Sequence, residues 1–210
     1  DAWPRAKPFY DAYLERFGRY RDLPVQYDDL LHYTQSFPLL DRNGNDTLWE
    51  SVYFSEHDNK ELKKGLTLIY ALLKTDGDVS VMEHLEVARI DFCTYGNSMP
   101  FRIRIINRLN DNYDHFYLKR ADASRIYGLE LEDLLSPNRF IFLVHGLTMV
   151  EEHIAGIPGD DFIRSHLDVT QFDQIRIAKE FVKFNERCFV RLLGDMRSYN
   201  YVVDITPDIE

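Results

Sequence analysis

The sequence has little of what marks several common classes of protein. Its two cysteines in 210 residues, Cys93 and Cys188, cannot make a disulfide framework, and a reduced, cytoplasmic setting is the simpler interpretation. The longest apolar run, Phe140 to Val150, contains His145 and Gly146 and is too short to cross a bilayer. No repeat of 20–50 residues and no signal-peptide pattern is present. We therefore expect a cytoplasmic globular protein with no membrane partner.

Positive charge is also scarce. The 25 Lys and Arg residues face 35 Asp and Glu residues, which leaves a net charge of −10 and a pI of about 5.2. Such a balance disfavours nonspecific binding to a phosphate backbone, so we expect no nucleic-acid partner, although a local basic patch is compatible with it. Hydrophobic residues make up 45% and aromatic residues 14% of the chain, enough for a packed core in one or two small domains.

The first 85 residues have mainly helical patterns, and we predict a helical N-terminal extension over residues 1–85. The clearest helix is 59–73, with Leu62, Leu66 and Ile69 on one face and Asn59 as a possible cap. The segment 47–54 is ambiguous between helix and strand.

The period then changes from helical to alternating. Strands are predicted at 86–93, 101–107 and 115–119, followed by a helix at 124–135 and a strand pair at 140–144 and 147–154. We predict a β-rich lobe over residues 86–155. The order of elements predicts an α+β fold rather than regular βαβ alternation.

The last segment, residues 156–210, is predicted to begin a helical lobe. A long amphipathic helix at 171–193 would bury the apolar residues Phe172, Ile175, Ala178, Val182, Phe189 and Leu192. A loop containing Gly194, Asp195 and Asn200 follows, and strand character resumes at Tyr201. The chain starts with Asp1 and stops ten residues after Asn200, so we expect it to be part of a longer protein.

Particular residues stand at marked points of this order. Lys119 ends the third predicted strand, Glu130 and Glu132 lie on the following helix, and Glu152 lies near the end of the fifth strand. Asp195 precedes Asn200 by five positions, directly after the long helix.

These residues and the order of the predicted elements resemble the pattern of the protein-kinase-like superfamily, nearest the aminoglycoside phosphotransferase and choline kinase branch. The resemblance covers roughly residues 86–205 and depends on the order of elements and the Gly-Asp-x4-Asn loop. It implies a small β lobe followed by the start of a helical lobe, with ATP and Mg²⁺ bound between them.

The resemblance also implies roles for the marked residues. Lys119 would hold the nucleotide phosphates and pair with Glu130 or Glu132, while the strand end around Glu152 would form the hinge that binds adenine. Asp195 would be the catalytic base and Asn200 a metal ligand. The phosphate acceptor would be a hydroxyl group on an unknown small molecule or protein.

The chain departs from the family pattern at three points. The first turn of the β lobe has only Gly96 in place of a Gly-rich loop, Leu193 stands where the branch usually has His, and no second metal-binding Asp follows Asn200. These departures favour an alternative, a non-catalytic pseudokinase-like or α+β protein-interaction domain. An α+β enzyme of unrelated chemistry is a third interpretation.

Two other patterns indicate metal sites only weakly. The loop from Asp41 to Asn45 has oxygen ligands at calcium-loop spacing, but Asp46 and Val52 occupy positions that require Gly and Glu, so a turn explains it better. Glu151, Glu152, His153 and His145 could suggest a metal site, but neighbouring residues on a strand should point to opposite faces, which argues against a shared metal.

Overall fold

The computed structural model describes residues 8–95, 97–136, 140–167, 174–194 and 196–205. The chain divides into two compact units, Asp1–His153 and Ile154–Glu210. In chain order, the helices and strands of the first unit are α1 (Pro8–Arg16), α2 (Tyr27–Leu30), β1 (Gln35–Leu40), β2 (Asp46–Tyr53), α3 (Glu56–Thr75), β3 (Leu85–Cys93), β4 (Phe101–Asn107), β5 (Tyr113–Arg120), α4 (Ala123–Leu135), β6 (Phe142–His145) and β7 (Thr148–Glu152).

One seven-stranded sheet organises the first unit. Its strand order is β1-β2-β3-β4-β5-β7-β6, and every neighbouring pair is antiparallel. Successive strands form hairpins except where α3 links β2 to β3 and α4 links β5 to β6. The α+β class predicted from the sequence is confirmed, because helices and an antiparallel sheet share one unit.

Helix α3 covers one face of the sheet. Its buried residues, Leu66, Ile69 and Leu73 among them, pack with alternate strand residues such as Ile103 and Phe116 in the main hydrophobic core. Side chains alternate between the two faces of a strand, so the residues between these must point to the other face. The apolar residues of each central strand therefore face α3.

The limits of α3 differ from those predicted. The helix begins after Ser55, whose hydroxyl accepts a hydrogen bond from the Asp58 N–H at 3.2 Å, so Asn59 is an interior residue and not the cap. It ends at Asp76, which takes the left-handed conformation with φ 52°. A serine hydroxyl one turn earlier provides the cap, and the apolar pattern alone did not reveal it.

The other face of the sheet is covered at its β6–β7 end by α1 and α4. Leu14 and Ile126 from these helices pack on Phe142, Val144 and Met149 in a second cluster. The chain after α1 also adds to the edge of β6, where Val144 donates a backbone hydrogen bond to Arg19 and accepts one from Arg21.

The predicted helical extension over residues 1–85 is corrected by the structure in two ways. The segment contains the β1–β2 hairpin, and β2 pairs with β3, which joins it to the main sheet. No division between compact units falls at residue 85, because α3 and the hairpin belong to the sheet's own core. The division after His153 is two residues before the predicted boundary at 155.

The second unit is small. Its elements are β8 (Ile157–Pro158), α5 (Gly159–Ser165), α6 (Gln174–Val190), a 3₁₀ turn (Ser198–Asn200) and β9 (Val202–Val203), and β8 pairs with β9. Gly159 is required in this unit, because a Cβ there would lie 2.3 Å from the Tyr201 ring. No helix in the described part of the chain is both long enough and apolar enough to span a membrane.

The prediction of which face of α6 is buried is wrong. Ile175, Val182 and Phe189 are 66%, 58% and 82% exposed, and Ala178 and Leu192 are exposed as well, while Phe172 lies outside the described residues. The packed stripe lies one residue earlier: Phe181 and Phe184 contact the Tyr201 ring, and Cys188 is buried. The helix has apolar residues on both stripes, so periodicity could not decide which one packs.

Candidate functional site

A band of charged and aromatic side chains lies on the sheet face opposite α3, beside the part covered by α1 and α4. Strand register places these side chains next to one another: Arg102 pairs with both Asp91 and Tyr117, Arg104 with His115, and Tyr117 with Glu151. We call this surface the polar face. Its residues are Trp49, Arg89, Asp91, Arg102, Arg104, His115, Tyr117, Lys119 and Glu151.

Lys119 is paired at one end of the polar face. Its ammonium donates a hydrogen bond to the Glu151 carboxylate, and both side chains are largely buried, at 16% and 12% exposure. The Arg125 guanidinium from α4 approaches the other oxygen of Glu151 at 3.7 Å. One carboxylate therefore faces two cations at the point where α4 meets the sheet.

The predicted partners of Lys119 are corrected accordingly. Glu130 is buried in α4, but its carboxylate accepts hydrogen bonds from Arg19 Nε and the Tyr13 hydroxyl, both at 3.2 Å. Glu130 thus ties α4 to α1 and its following segment, while Lys119 is held by Glu151 on β7. Glu132 lies half-buried on the same helix, and its backbone carbonyl accepts the Ser136 N–H.

Glu152 lies on the other side of the sheet. Its carboxylate pairs with Lys74 of α3 at 3.2 Å, and its backbone N–H donates to the Ile141 carbonyl at 3.1 Å. The opposite orientation expected for Glu151 and Glu152 is confirmed, since the first faces Lys119 and the second faces α3. A shared metal at these two residues is therefore excluded by the pleat of the strand.

The remaining two predicted site residues belong to the second unit. Asp195 lies outside the described residues. Asn200 ends the 3₁₀ turn, is exposed, and donates its backbone N–H to the Arg197 carbonyl at 2.8 Å.

A buried carboxylate anchors the centre of the polar face. Asp91 is fully buried and accepts hydrogen bonds from the Ser51 hydroxyl at 2.9 Å and from Arg102 Nη2 and Nε at 2.9 and 3.2 Å. Arg89 Nε lies 2.8 Å from the same carboxylate, though outside hydrogen-bonding geometry. A buried charge with this many partners holds its neighbours in one position.

Aromatic rings connect this cluster to Lys119. Trp49 reaches from β2 across β3, and the Arg102 guanidinium stacks over its ring at 4.3 Å. The Trp49 and Tyr117 rings are 6.5 Å apart, and the Lys119 ammonium lies 5.7 Å from the Tyr117 ring. Burial raises the pKa of Tyr117. The ring therefore remains neutral and offers a flat surface beside two cations.

The far end of the polar face carries histidines. The His153 ring contacts the Tyr117 hydroxyl at 3.1 Å and lies 5.7 Å from the His115 ring. Burial, followed by the charges of Arg102 and nearby groups, lowers the pKa of His115 to about 4. His115 is consequently neutral at physiological pH.

The polar face is cationic although the chain is acidic. The cations Arg89, Arg102, Arg104 and Lys119 outnumber the carboxylates Asp91 and Glu151. An excess of positive charge beside stacked aromatic rings suits an anionic ligand with a flat ring. Within the described ranges, no three His, Cys, Asp or Glu side chains are grouped so that they could hold a metal ion.

Other concave or polar features carry less chemistry. A pocket of about 440 Å³ lies between the segment after α1, the end of α3 and the start of β6. Its cations Arg19, Arg21 and Lys74 are already paired with carboxylates. The Asp41 carboxylate accepts hydrogen bonds from Asn43 and Asn45, as expected for a turn rather than a calcium loop.

Sequence reasoning missed most of the polar face. The alternation in β4 contained a usable signal, because Arg102 and Arg104 occupy every second position between apolar residues. The place of Trp49 on this face could not be predicted, since its segment was ambiguous between helix and strand.

The chain matches no protein-family model, no curated protein and no solved structure.

Proposed function

We propose that this chain is an atypical kinase-like phosphotransferase domain that uses ATP and Mg²⁺ to phosphorylate a hydroxyl group. The observation that supports this most directly is the position of Lys119. It lies on the third strand of a meander that is followed by a helix, and a carboxylate holds it on a cationic, aromatic face. Kinase-type enzymes keep their phosphate-binding lysine on the corresponding strand and orient it with a carboxylate.

Glu151 would take the orienting role in this chain. A largely buried lysine is costly without a counter-charge, so Glu151 keeps Lys119 charged and in place. Arg125 also neutralises the Glu151 carboxylate, so Lys119 can turn part of its charge toward an incoming phosphate. Phosphate oxygens would then meet two cations, Lys119 and Arg125, across one carboxylate.

The remaining roles come from the resemblance. Asp195 would accept the proton of the acceptor hydroxyl, and Asn200 supplies an amide oxygen of the kind that Mg²⁺ accepts. When bound with the triphosphate, Mg²⁺ neutralises charge on the transferring phosphoryl group. The acceptor is a small molecule or a protein.

Calorimetric titration with MgATP tests the proposal on the full chain. We expect binding that Lys119→Ala weakens by about tenfold or more, as for the loss of one charged phosphate contact. Lys74→Ala is the matched control, because Lys74 also pairs with a glutamate but on the α3 side of the sheet. Asp195→Asn should abolish phosphoryl transfer and leave the Kd unchanged. A folded chain that binds no MgATP would contradict the proposal.

A second candidate is the non-catalytic protein-interaction domain. The observation that favours it is the apolar stripe of α6, where Ile175, Val182 and Phe189 recur at seven-residue intervals and are each more than half exposed. Exposed apolar stripes of this kind are typical of interaction surfaces. Absence of nucleotide binding in the folded chain would favour this candidate over the enzyme.

A further inference from the structure

Arg104 has no counter-charge on the polar face. Among the described residues, no carboxylate lies within ion-pair distance of it, and its guanidinium carbon lies 4.0 Å from the centre of the Tyr113 ring. Its Nε is buried and donates no hydrogen bond. An arginine in this state retains most of its donors for a ligand, because guanidinium groups have five N–H donors and no acceptor.

Arg104 lies at a defined distance from Lys119. Its cross-strand neighbour is His115, but its guanidinium lies over the Tyr113 ring, six residues from Lys119 along β5, or about 20 Å at the usual rise of a strand. Tyr117 lies between them on the same face. This span suits a nucleoside triphosphate with its phosphates at one end and its base at the other.

The direction of such a ligand follows from the packing. Beyond Lys119 toward β6, the face is covered by α1 and α4 through Leu14 and Ile126. A triphosphate held by Lys119 can extend away from this covered part, over Tyr117 and toward Arg104. Of the groups at this end, His115 is uncharged and Arg102 is already bonded to Asp91.

Purines differ in what they present to an arginine. Guanine offers two acceptors on one edge, O6 and N7, which a guanidinium binds with two parallel hydrogen bonds. Adenine presents N7 beside an amino group, which is a donor and meets the donors of the arginine unfavourably. On the basis of the proposed function, we propose that Arg104 selects guanine and that the phosphate donor of this domain is GTP in preference to ATP.

The test compares three triphosphates on the full chain. MgATP, MgGTP and MgITP are titrated by calorimetry, because ITP has the O6 and N7 acceptors of guanine but lacks its 2-amino group. We expect GTP and ITP to bind about tenfold or more tightly than ATP, in line with one bidentate arginine–guanine contact. Arg104→Gln should bring all three affinities together by weakening GTP and ITP while changing ATP less than about twofold.

Arg108→Gln is the matched control. Arg108 follows the same strand but is exposed and pairs with Glu86, so its loss should preserve the preference for GTP. Equal or tighter binding of ATP than of GTP to the wild-type chain would overturn the role of Arg104 and leave the proposed function standing. Absence of binding by all three triphosphates would overturn both. The wild-type titration tests the predicted preference for GTP even if Arg104→Gln fails to fold.

Discussion

Lys119 on β5 pairs with Glu151 on β7, two residues beyond the position directly opposite it in the register. The pair is diagonal, and it lies on the sheet face that α4 approaches through Arg125. The helix that follows β5 therefore contributes a cation here rather than the glutamate expected from its sequence. This arrangement links the stability of the seven-stranded sheet to the charge of Lys119.

The Lys119–Glu151 pair should show strong coupling in a double-mutant cycle. Lys119→Met leaves a mostly buried glutamate beside Arg125 alone, and we expect it to lower the free energy of unfolding by about 1–3 kcal/mol. Glu151→Met should cost a similar amount, whereas the double variant should recover part of the loss, since neither member of the buried pair is left without the other and Arg125 keeps Asp122 at 4.0 Å. Urea denaturation of the four proteins measures this, and strictly additive losses would contradict the pairing.

Asp91→Asn should destabilise the sheet more than the loss of a surface carboxylate does. Asp91 is fully buried and neutralises Arg102, so its replacement leaves two partly exposed cations, Arg102 and Arg89, without their counter-charge at a cost of about 2–3 kcal/mol. The control is Asp76→Asn, which breaks the exposed pair with Arg21 and should cost less than about 1 kcal/mol. Similar losses for the two variants, measured by chemical denaturation, would show that the cluster is not structural.

Two glycine-to-alanine changes in helices should have opposite signs. A Cβ at Gly65 of α3 would lie 2.5 Å from Val25 Cγ2, so Gly65→Ala should destabilise by about 1–3 kcal/mol despite the better helix propensity of alanine. Gly128 of α4 has nothing within 4 Å of its added Cβ, so Gly128→Ala should stabilise by up to about 1 kcal/mol.

Thermal unfolding of both variants provides the measurement. Combining Gly65→Ala with Val25→Ala should restore part of the stability, because it removes the contacting methyl group. A stabilising Gly65→Ala would mean that α3 and the Val25 segment are not packed as closely as the structure has them.

Stability should rise with pH between about 4 and 6.5 because of His115. Its folded pKa, about 4, is below the value near 6.5 expected for the unfolded chain. In this window the unfolded chain binds a proton that the folded chain does not, so acidification favours unfolding. His115→Asn should flatten the dependence in this range, as measured by urea denaturation at several pH values.

Asp114 contributes in the same direction at lower pH. Burial raises its pKa, but hydrogen bonds from Tyr70 and the His115 N–H and the charge of Lys74 outweigh this, and the net pKa is lowered. The stability that this carboxylate provides is present above its unfolded pKa and is lost as the pH falls through its folded pKa. His115→Asn should therefore leave the steep loss at the acid end in place.

Much of the fold was predictable from local patterns. The alternation in β3, β4 and β5 and the helical spacing in α3 and α4 produced bounds within a few residues of those observed, because each segment buries one face against a single partner. The β1–β2 hairpin was missed, since β2 was ambiguous by itself and its pairing partner β3 lies more than thirty residues along the chain.

The candidate site was less predictable than the fold. The sequence marked Lys119 by its place at a strand end, but it did not predict that Glu151 pairs with it, because that pairing depends on strand register and on how α4 is rotated. Glu130 pairs with Arg19, which lies in the segment after α1, and not with Lys119.

The composition and periodicity of the sequence determined the α+β class, the positions of the central strands and the buried half of each. These are local properties, since a side chain's face follows from its position in a strand or helix. Only the tertiary structure placed four of the 25 basic residues, Arg89, Arg102, Arg104 and Lys119, on one face of the sheet and determined which of them pair with carboxylates. Charges on separate strands become neighbours only through register, so a chain with a net charge of −10 can still have a cationic surface where strands meet.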